Sequence, residues 1–144
     1  ATISSGGMAI RHSTAPDSPM AFEAAGYNRQ SPLLYGALGR VWLAHASDEE
    51  RRTALKAVGV RQTPALTATL EGVRRDGYAF TRPPRPTRLH GFAVPILSGN
   101  RVLGSISMRF PRSAMGEDEV VQRFGKRLAA VARAIAADVV SAKD

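Results

Sequence analysis

The sequence predicts an α+β domain in which an antiparallel sheet is covered by helices. Three observations predict it. The periodicities run in the order β, three helices, β, helix along the chain. Residues 101–110 alternate, with Val102, Gly104, Ile106, Met108 and Phe110 on one face and Ser105, Ser107 and Arg109 on the other, which is the pattern of a half-buried strand. Val120, Val121, Phe124, Leu128, Val131, Ile135 and Val139 recur every three or four residues. That spacing predicts one long amphipathic helix over 117–140, buried along Val121, Phe124, Leu128, Val131 and Ile135. Glu117, Asp118 and Glu119 suit the positive end of its dipole.

The other elements follow in order. Residues 1–7 read as a strand and turn, and 8–11 and 21–24 as short strands around a Pro-containing turn at 15–19. A helix is expected over 32–46, with Ser31 as its cap and Pro32 at its first position, where a missing donor costs nothing. Leu34, Leu38, Val41 and His45 share one face of it, and Tyr35, Leu38 and Trp42 form an adjoining stripe expected to line a cavity. Gly36 and Gly39 each cost about 1 kcal/mol relative to Ala inside a helix, which implies close approach by a strand or a ligand. Ser47 and Glu50 make a capping box for a second helix over 48–58, stopped by Gly59. A third, over 67–76, turns Leu70 and Val73 inward and ends at Gly77 in the left-handed conformation. Strands at 78–81 and 89–97 flank a loop at 82–86 whose three prolines deny a ladder its amides. Residues 98–100 connect a hairpin to the strand at 101–110.

At 144 residues the chain is sized for one domain, and 44% hydrophobic with 22% charged residues is a globular composition. No apolar run approaches the roughly 20 residues of a membrane span. The absence of cysteine excludes disulfides, thiolate metal sites and a cysteine nucleophile, and makes a cytoplasmic location the expectation. A start at Ala1 without an initiator Met suggests an excised fragment. The net charge of +8 raises nucleic-acid binding, but the basic residues are scattered, mostly Arg, and nowhere form a run of four, the distribution of a solvated basic surface. His12, His45 and His90 stand apart without metal-ligand spacing, and no nucleophile elbow, phosphate loop or dinucleotide fingerprint occurs. No metal, no cofactor and no catalysis are expected. The Pro-x-x-Pro of Pro83 and Pro86 sits in an Arg- and Pro-rich loop where such a match arises by chance.

Residues 37–44, read Ala-Leu-Gly-Arg-Val-Trp-Leu-Ala, and the Ser-Asp-Glu-Glu-Arg of 47–51 resemble the first helix and next-helix start of the effector-binding domain of IclR-type bacterial transcriptional regulators. Thr63-Pro64, the Val73-to-Tyr78 stretch ending in Gly-Tyr, Ala93-Val94-Pro95 and the strand from Arg101 to Pro111 resemble further elements of that family, in its order. The resemblance runs from about Met8 to the C-terminus and implies a GAF-like fold. Arg112 to Met115 and Arg11 to Thr14 are similar to the branch that controls aromatic-acid catabolism. The resemblance implies effector contacts at Ala37 and Leu38, at Thr81, at Gly91, and at Ser107 and Arg109; Tyr35, Gly36 and Trp42 join them from the helix stripe. Where the family carries acidic residues, a Cys and a second Ser, this chain has Thr81 and Arg82, Gly91, and Arg109.

What the resemblance implies is a domain that senses a small molecule, acts as a homodimer or a dimer of dimers, and reaches DNA only through an N-terminal winged-helix domain outside this fragment. An alternative from another class is a ligand-free oligomerisation module. Arg109 sharpens the first reading. Its position on the polar strand face aims a guanidinium into the implied pocket, and a buried cation that cannot shed its proton requires an anion. The expected effector is therefore a small carboxylic acid with an apolar or aromatic body, held by Arg109 and Ser107; the alternative is that Arg109 leans into solvent or pairs with Glu23 or Glu71.

Overall fold

The computed structural model describes residues 1–17 and 30–142. Its elements are β1 (Thr2–Ser4), β2 (Gly7–Ala9), a 3-10 turn (Ala15–Asp17), β3 (Gln30–Ser31), α1 (Ala37–His45), α2 (Asp48–Ala57), α3 (Pro64–Asp76), β4 (Ala79–Phe80), β5 (Leu89–Ser98) and β6 (Arg101–Pro111). A terminal helical stretch follows, made of α4 (Glu117–Val120), a π turn (Val121–Gly125) and α5 (Lys126–Ser141). The strand expected at 21–24 lies outside the described residues. Among the described residues the strands form two antiparallel sheets, ordered β1-β2-β3 and β4-β5-β6. They meet where the Ser105 N–H donates to the Ala1 carbonyl at 3.0 Å.

α1 starts at Ala37 rather than at 32, behind a Gly36 cap that makes no side-chain bond. Ser31 is taken up in β3, and residues 33–35 form a turn closed by the Gly36 N–H on the Pro32 carbonyl at 3.0 Å. That turn explains the two glycines. A Cβ at Gly36 would strike Ser31 Oγ and the Pro32 carbonyl, and one at Gly39 would strike the Leu33 backbone. At Gly39 the approaching group is the helix's own lead-in, and at Gly36 it is that lead-in together with Ser31 of β3.

The α2 capping box is present, with Ser47 Oγ accepting the Glu50 N–H at 3.2 Å and Glu50 Oε2 accepting the Ser47 N–H at 2.9 Å. α3 begins before the expected 67, because Thr63 Oγ1 caps the Leu66 N–H at 3.1 Å and Pro64 occupies the first turn. Leu70 and Val73 are buried, and Gly77 ends the helix at φ 79°.

The β5–β6 hairpin sets the relative positions of Gly91, Ser107 and Arg109. Its turn pairs Ser98 with Arg101 and Leu97 with Val102, and then Ile96 with Gly104, so Leu103 is an extra residue in a β-bulge. Past the bulge the register sets Ala93 opposite Ser107 and Gly91 opposite Arg109. Val102 consequently joins the core under α1 while Leu103 packs toward the terminal helix, which corrects the simple alternation at that end.

The core has two parts. Met8, Leu33, Leu38, Val41, Trp42, Leu43, Leu55 and Leu70 cluster around α1, and Phe80, Phe92, Val94, Ile96, Phe110, Val120, Ala132 and Ala136 cluster between the second sheet and the terminal helix. The terminal helix departs from its expected stripe. Val120, Ala132 and Ala136 are buried, Val121, Phe124, Leu128 and Ile135 are half-buried, and Val131 is 47% exposed. The π turn supplies the reason: it takes up about one residue more than an α turn, so the inward positions beyond it move from 131 and 135 to 132 and 136.

Candidate functional site

Each side of the second sheet is built differently. Toward the terminal helix, Phe80 lies 5.1 Å from Phe92 and 6.3 Å from Phe110 between ring centres, with Tyr78 5.4 Å from Phe92. Toward α1 the side chains are small. Ser105 is fully buried, and its hydroxyl donates to the Leu38 carbonyl at 3.1 Å. A Cβ at Gly91 would lie 2.6 Å from Thr81 Oγ1 and 3.4 Å from the Ala37 Cβ, so the absence of a side chain lets the start of α1 and the end of β4 close on β5. Thr81 Oγ1 accepts the Gly91 N–H at 3.0 Å, and the Gly91 carbonyl accepts the Thr81 N–H at 2.9 Å.

A cleft of about 900 Å³ opens at the end of this face. Thr81, Gly91 and Arg109 line it, together with Thr87, Arg88 and Leu89 before β5 and Pro111, Arg112 and Ser113 at the end of β6. None of these lining residues is acidic. The structure thus brings three of the sequence-derived positions, Thr81, Gly91 and Arg109, to one cleft, with Ala37 against its floor at Gly91. The other positions sit elsewhere. Tyr35 is 47% exposed, and its carbonyl accepts the Arg82 N–H at 2.8 Å. Gly36 is the α1 cap. Leu38 and Trp42 are packed into the α1 core, Trp42 with 3% exposure. Ser107 is half-buried on β6 outside the lining. Arg109 itself is exposed, so its guanidinium stands at a cleft and is not buried in a cavity, and burial drops out of the argument for an anion.

Sequence reasoning missed Arg88, Arg112, Thr87 and Ser113. The signal that finds them is the hairpin register: Leu89 pairs with Pro111, and the Arg112 N–H donates to the Arg88 carbonyl at 3.1 Å, which sets the two arginines across from one another.

Charged groups around the rim are held by specific partners. Arg82 grips Glu117 with two bonds, at 2.5 and 2.9 Å. Partial burial would raise the Glu117 carboxyl, but the Arg82 hydrogen bond and charge, with His90 and Arg112 nearby, outweigh it and hold the group below the usual carboxylate range. His90, buried between Phe80 and Phe110, sets Nε2 2.6 Å from the Thr81 carbonyl and 3.7 Å from Glu117. A carbonyl only accepts, so the proton sits on Nε2. Arg40, the charge in the middle of α1, donates to the Phe80 carbonyl at 2.7 Å; burial first, and then the Arg82 charge, lower it from its ordinary value while Glu117 opposes them. His45 is bonded to the Val41 carbonyl at 2.9 Å within its own helix. Among the described residues no group of His, Asp and Glu side chains could hold a metal, and no helix is long and apolar enough to cross a membrane.

A family model described as the C-terminal region of bacterial transcriptional regulator IclR matches residues 4–137. The C-terminal domain of the E. coli transcriptional regulator KdgR is 28% identical with a TM-score of 0.65, over 77% of this chain and 73% of that one. A transcriptional regulator from Rhodococcus sp. RHA1 is 19% identical with a TM-score of 0.70, over 87% of this chain and 55% of that one, so this chain spans about half of that protein. The inducer-binding domain of a PobR double mutant from Acinetobacter, solved with 3-hydroxybenzoic acid, is 16% identical with a TM-score of 0.65, over 83% of this chain and 75% of that one.

Proposed function

Because the chain belongs to the IclR C-terminal family of bacterial transcriptional regulators, a family of ligand-binding regulator domains, we propose that it senses a small carboxylic acid bound in the cleft at Arg109. The observation that carries this reading is the convergence of Thr81, Gly91 and Arg109, separated by up to 28 positions in sequence, on one cleft. A guanidinium presents two parallel donors that match a carboxylate. The 3-hydroxybenzoic acid in the Acinetobacter structure is a precedent for a small acid in this fold. Ala37, against Gly91 at the cleft floor, is the α1 side of the site, and Tyr35, Gly36, Leu38 and Trp42 are left out of it. The effector acts by binding one arrangement of a homodimer or dimer of dimers more tightly than another, and it shifts the equilibrium by that difference alone. The output passes to DNA through a separate N-terminal domain, in the cytoplasm, with no catalysis.

The test is calorimetric titration of the domain with small carboxylic acids, followed by Arg109→Met. A bound acid should lose about 10- to 150-fold in affinity in a variant that still folds. Unchanged affinity in folded Arg109→Met, or no binding by any acid, overturns the proposal.

The oligomerisation reading has its own observation. Val131, Val139 and Val140 are exposed on α5. Val131→Asp, followed by sedimentation, should leave the oligomer intact if these valines merely face solvent and dissociate it if they form the contact.

A further inference from the structure

We propose that the outward face of α5 binds a second copy of this chain, with the two helices parallel about a two-fold axis and Arg133 of each paired with Asp138 of the other. The inference rests on the homodimer reading and adds the face, the direction and the ionic contact.

The first support is the composition of that face. Between Leu128 and Ala142 ten residues are exposed, and only Arg133 and Asp138 among them are charged; the others are four alanines, three valines and a serine. α2 shows the contrast within the same protein, since its exposed positions include Asp48, Glu49, Glu50, Arg52 and Lys56. A helix that faces only water carries such charges on its outer side. Exposed Leu97, at the end of β5, extends the apolar surface beside Val140.

The second support is the placement of the two charges. At about 100° per residue, Ala134 and Ala137 lie on the side of α5 away from the buried Ala132 and Ala136. Arg133 and Asp138 stand about 70° to either side of that line, Arg133 with exposed Val140 and Asp138 with exposed Val131. Neither charge has an ion-pair partner among the described residues. Their own helix offers none, because the residues three and four positions away from each are alanine, isoleucine or serine. Nor can they reach one another, being about 140° apart around the helix.

The third support is that these two flanks complement each other. A parallel two-fold pair brings the Arg133 flank of one helix against the Asp138 flank of the other. The five-residue step between them is that from position g of a heptad to the following e, whose charges pair across parallel helices. Symmetry makes the contact twice. An antiparallel pair sets like flank against like flank and leaves both charges without an opposite. Arg133 is also the one charged residue lining an open groove of about 490 Å³ between Leu97 and Val140, and Asp138 of the second copy enters that groove.

Sedimentation of the domain with oxidative cross-linking tests this, and the absence of native cysteine makes the cross-link specific. The domain should form a dimer whose dissociation constant rises about 5- to 30-fold in Arg133→Asp and in Asp138→Arg, and recovers to within about twofold in the double exchange. Ala137→Cys should give a disulfide-linked dimer, because the parallel axis sets position 137 against itself. All three positions are exposed, and circular dichroism confirms that each variant folds. A dimer that neither reversal weakens, a loss that the double exchange does not recover, or failure of Ala137→Cys to cross-link overturns the proposal and leaves a homodimer through another contact. A domain that stays monomeric at every concentration removes the homodimer reading together with it.

Discussion

The two faces of the β4-β5-β6 sheet share the same strands yet follow opposite rules. Toward the terminal helix, Phe80, Phe92 and Phe110 stack with Tyr78 and His90, and nearly every inward position is large. Toward α1, Gly91, Ala93, Ser105 and Ser107 are small, and the Thr81 and Ala37 side chains close directly on Gly91. The aromatic face excludes water and supplies cohesion. The small-residue face supplies less, and in exchange sets backbone groups, hydroxyls and arginines beside open volume. In a strand that serves two purposes, alternation keeps them apart by one residue.

That contrast can be broken most severely on the aromatic side. Phe92 has no exposed surface, and Phe92→Ala should cost about 3–5 kcal/mol in chemical denaturation; a loss below about 1 kcal/mol would show that the cluster is not the cohesive half. On the small-residue side the damage comes from addition. Gly91→Ala places a methyl 2.6 Å from Thr81 Oγ1 and displaces the bond that hydroxyl accepts, at an expected cost of about 1–3 kcal/mol. Gly91→Ala combined with Thr81→Ala should recover part of that loss, and a double variant no better than the single one would locate the close approach elsewhere. The smallest effect belongs to the rim. Glu117 titrates below its unfolded value, so the stability it contributes is complete at neutral pH and disappears as pH falls from about 4.3 through the lower folded value. Because Glu117 and Arg82 are partly exposed, the contribution stays under about 1 kcal/mol. Glu117→Gln should flatten the acid limb of the melting temperature measured between pH 7 and 3, and an unaltered limb would assign it to other carboxylates.

Local signals in the sequence carried much of this fold. The Ser47–Glu50 box, the Gly77 stop, the hairpin turn and the alternation of 105–110 each depend on neighbours in the chain, and each is present. What lay beyond reach depended on insertions that leave no local trace. The turn alone implies a register in which Gly91 faces Met108, and the Leu103 bulge moves it by one to face Arg109. The π turn does the same to the terminal helix, replacing Val131 and Ile135 by two alanines as its inward residues. In the helix a larger apolar residue stood beside each position that is actually used, and periodicity chose the larger. The candidate site was legible where a resemblance supplied positions, at Thr81, Gly91 and Arg109. It was not legible at Arg88 and Arg112, which come together only through the shifted register.

Arg82 has a consequence of its own. Its backbone N–H is bonded to Tyr35 in the lead-in of α1, its guanidinium is locked on Glu117 in the first turn of α4, and its neighbour Thr81 forms the wall of the cleft. One residue thus stitches both layers that sandwich the sheet to the lip of the opening. A displacement of that lip would act on the lead-in of α1 and on the first turn of α4 together.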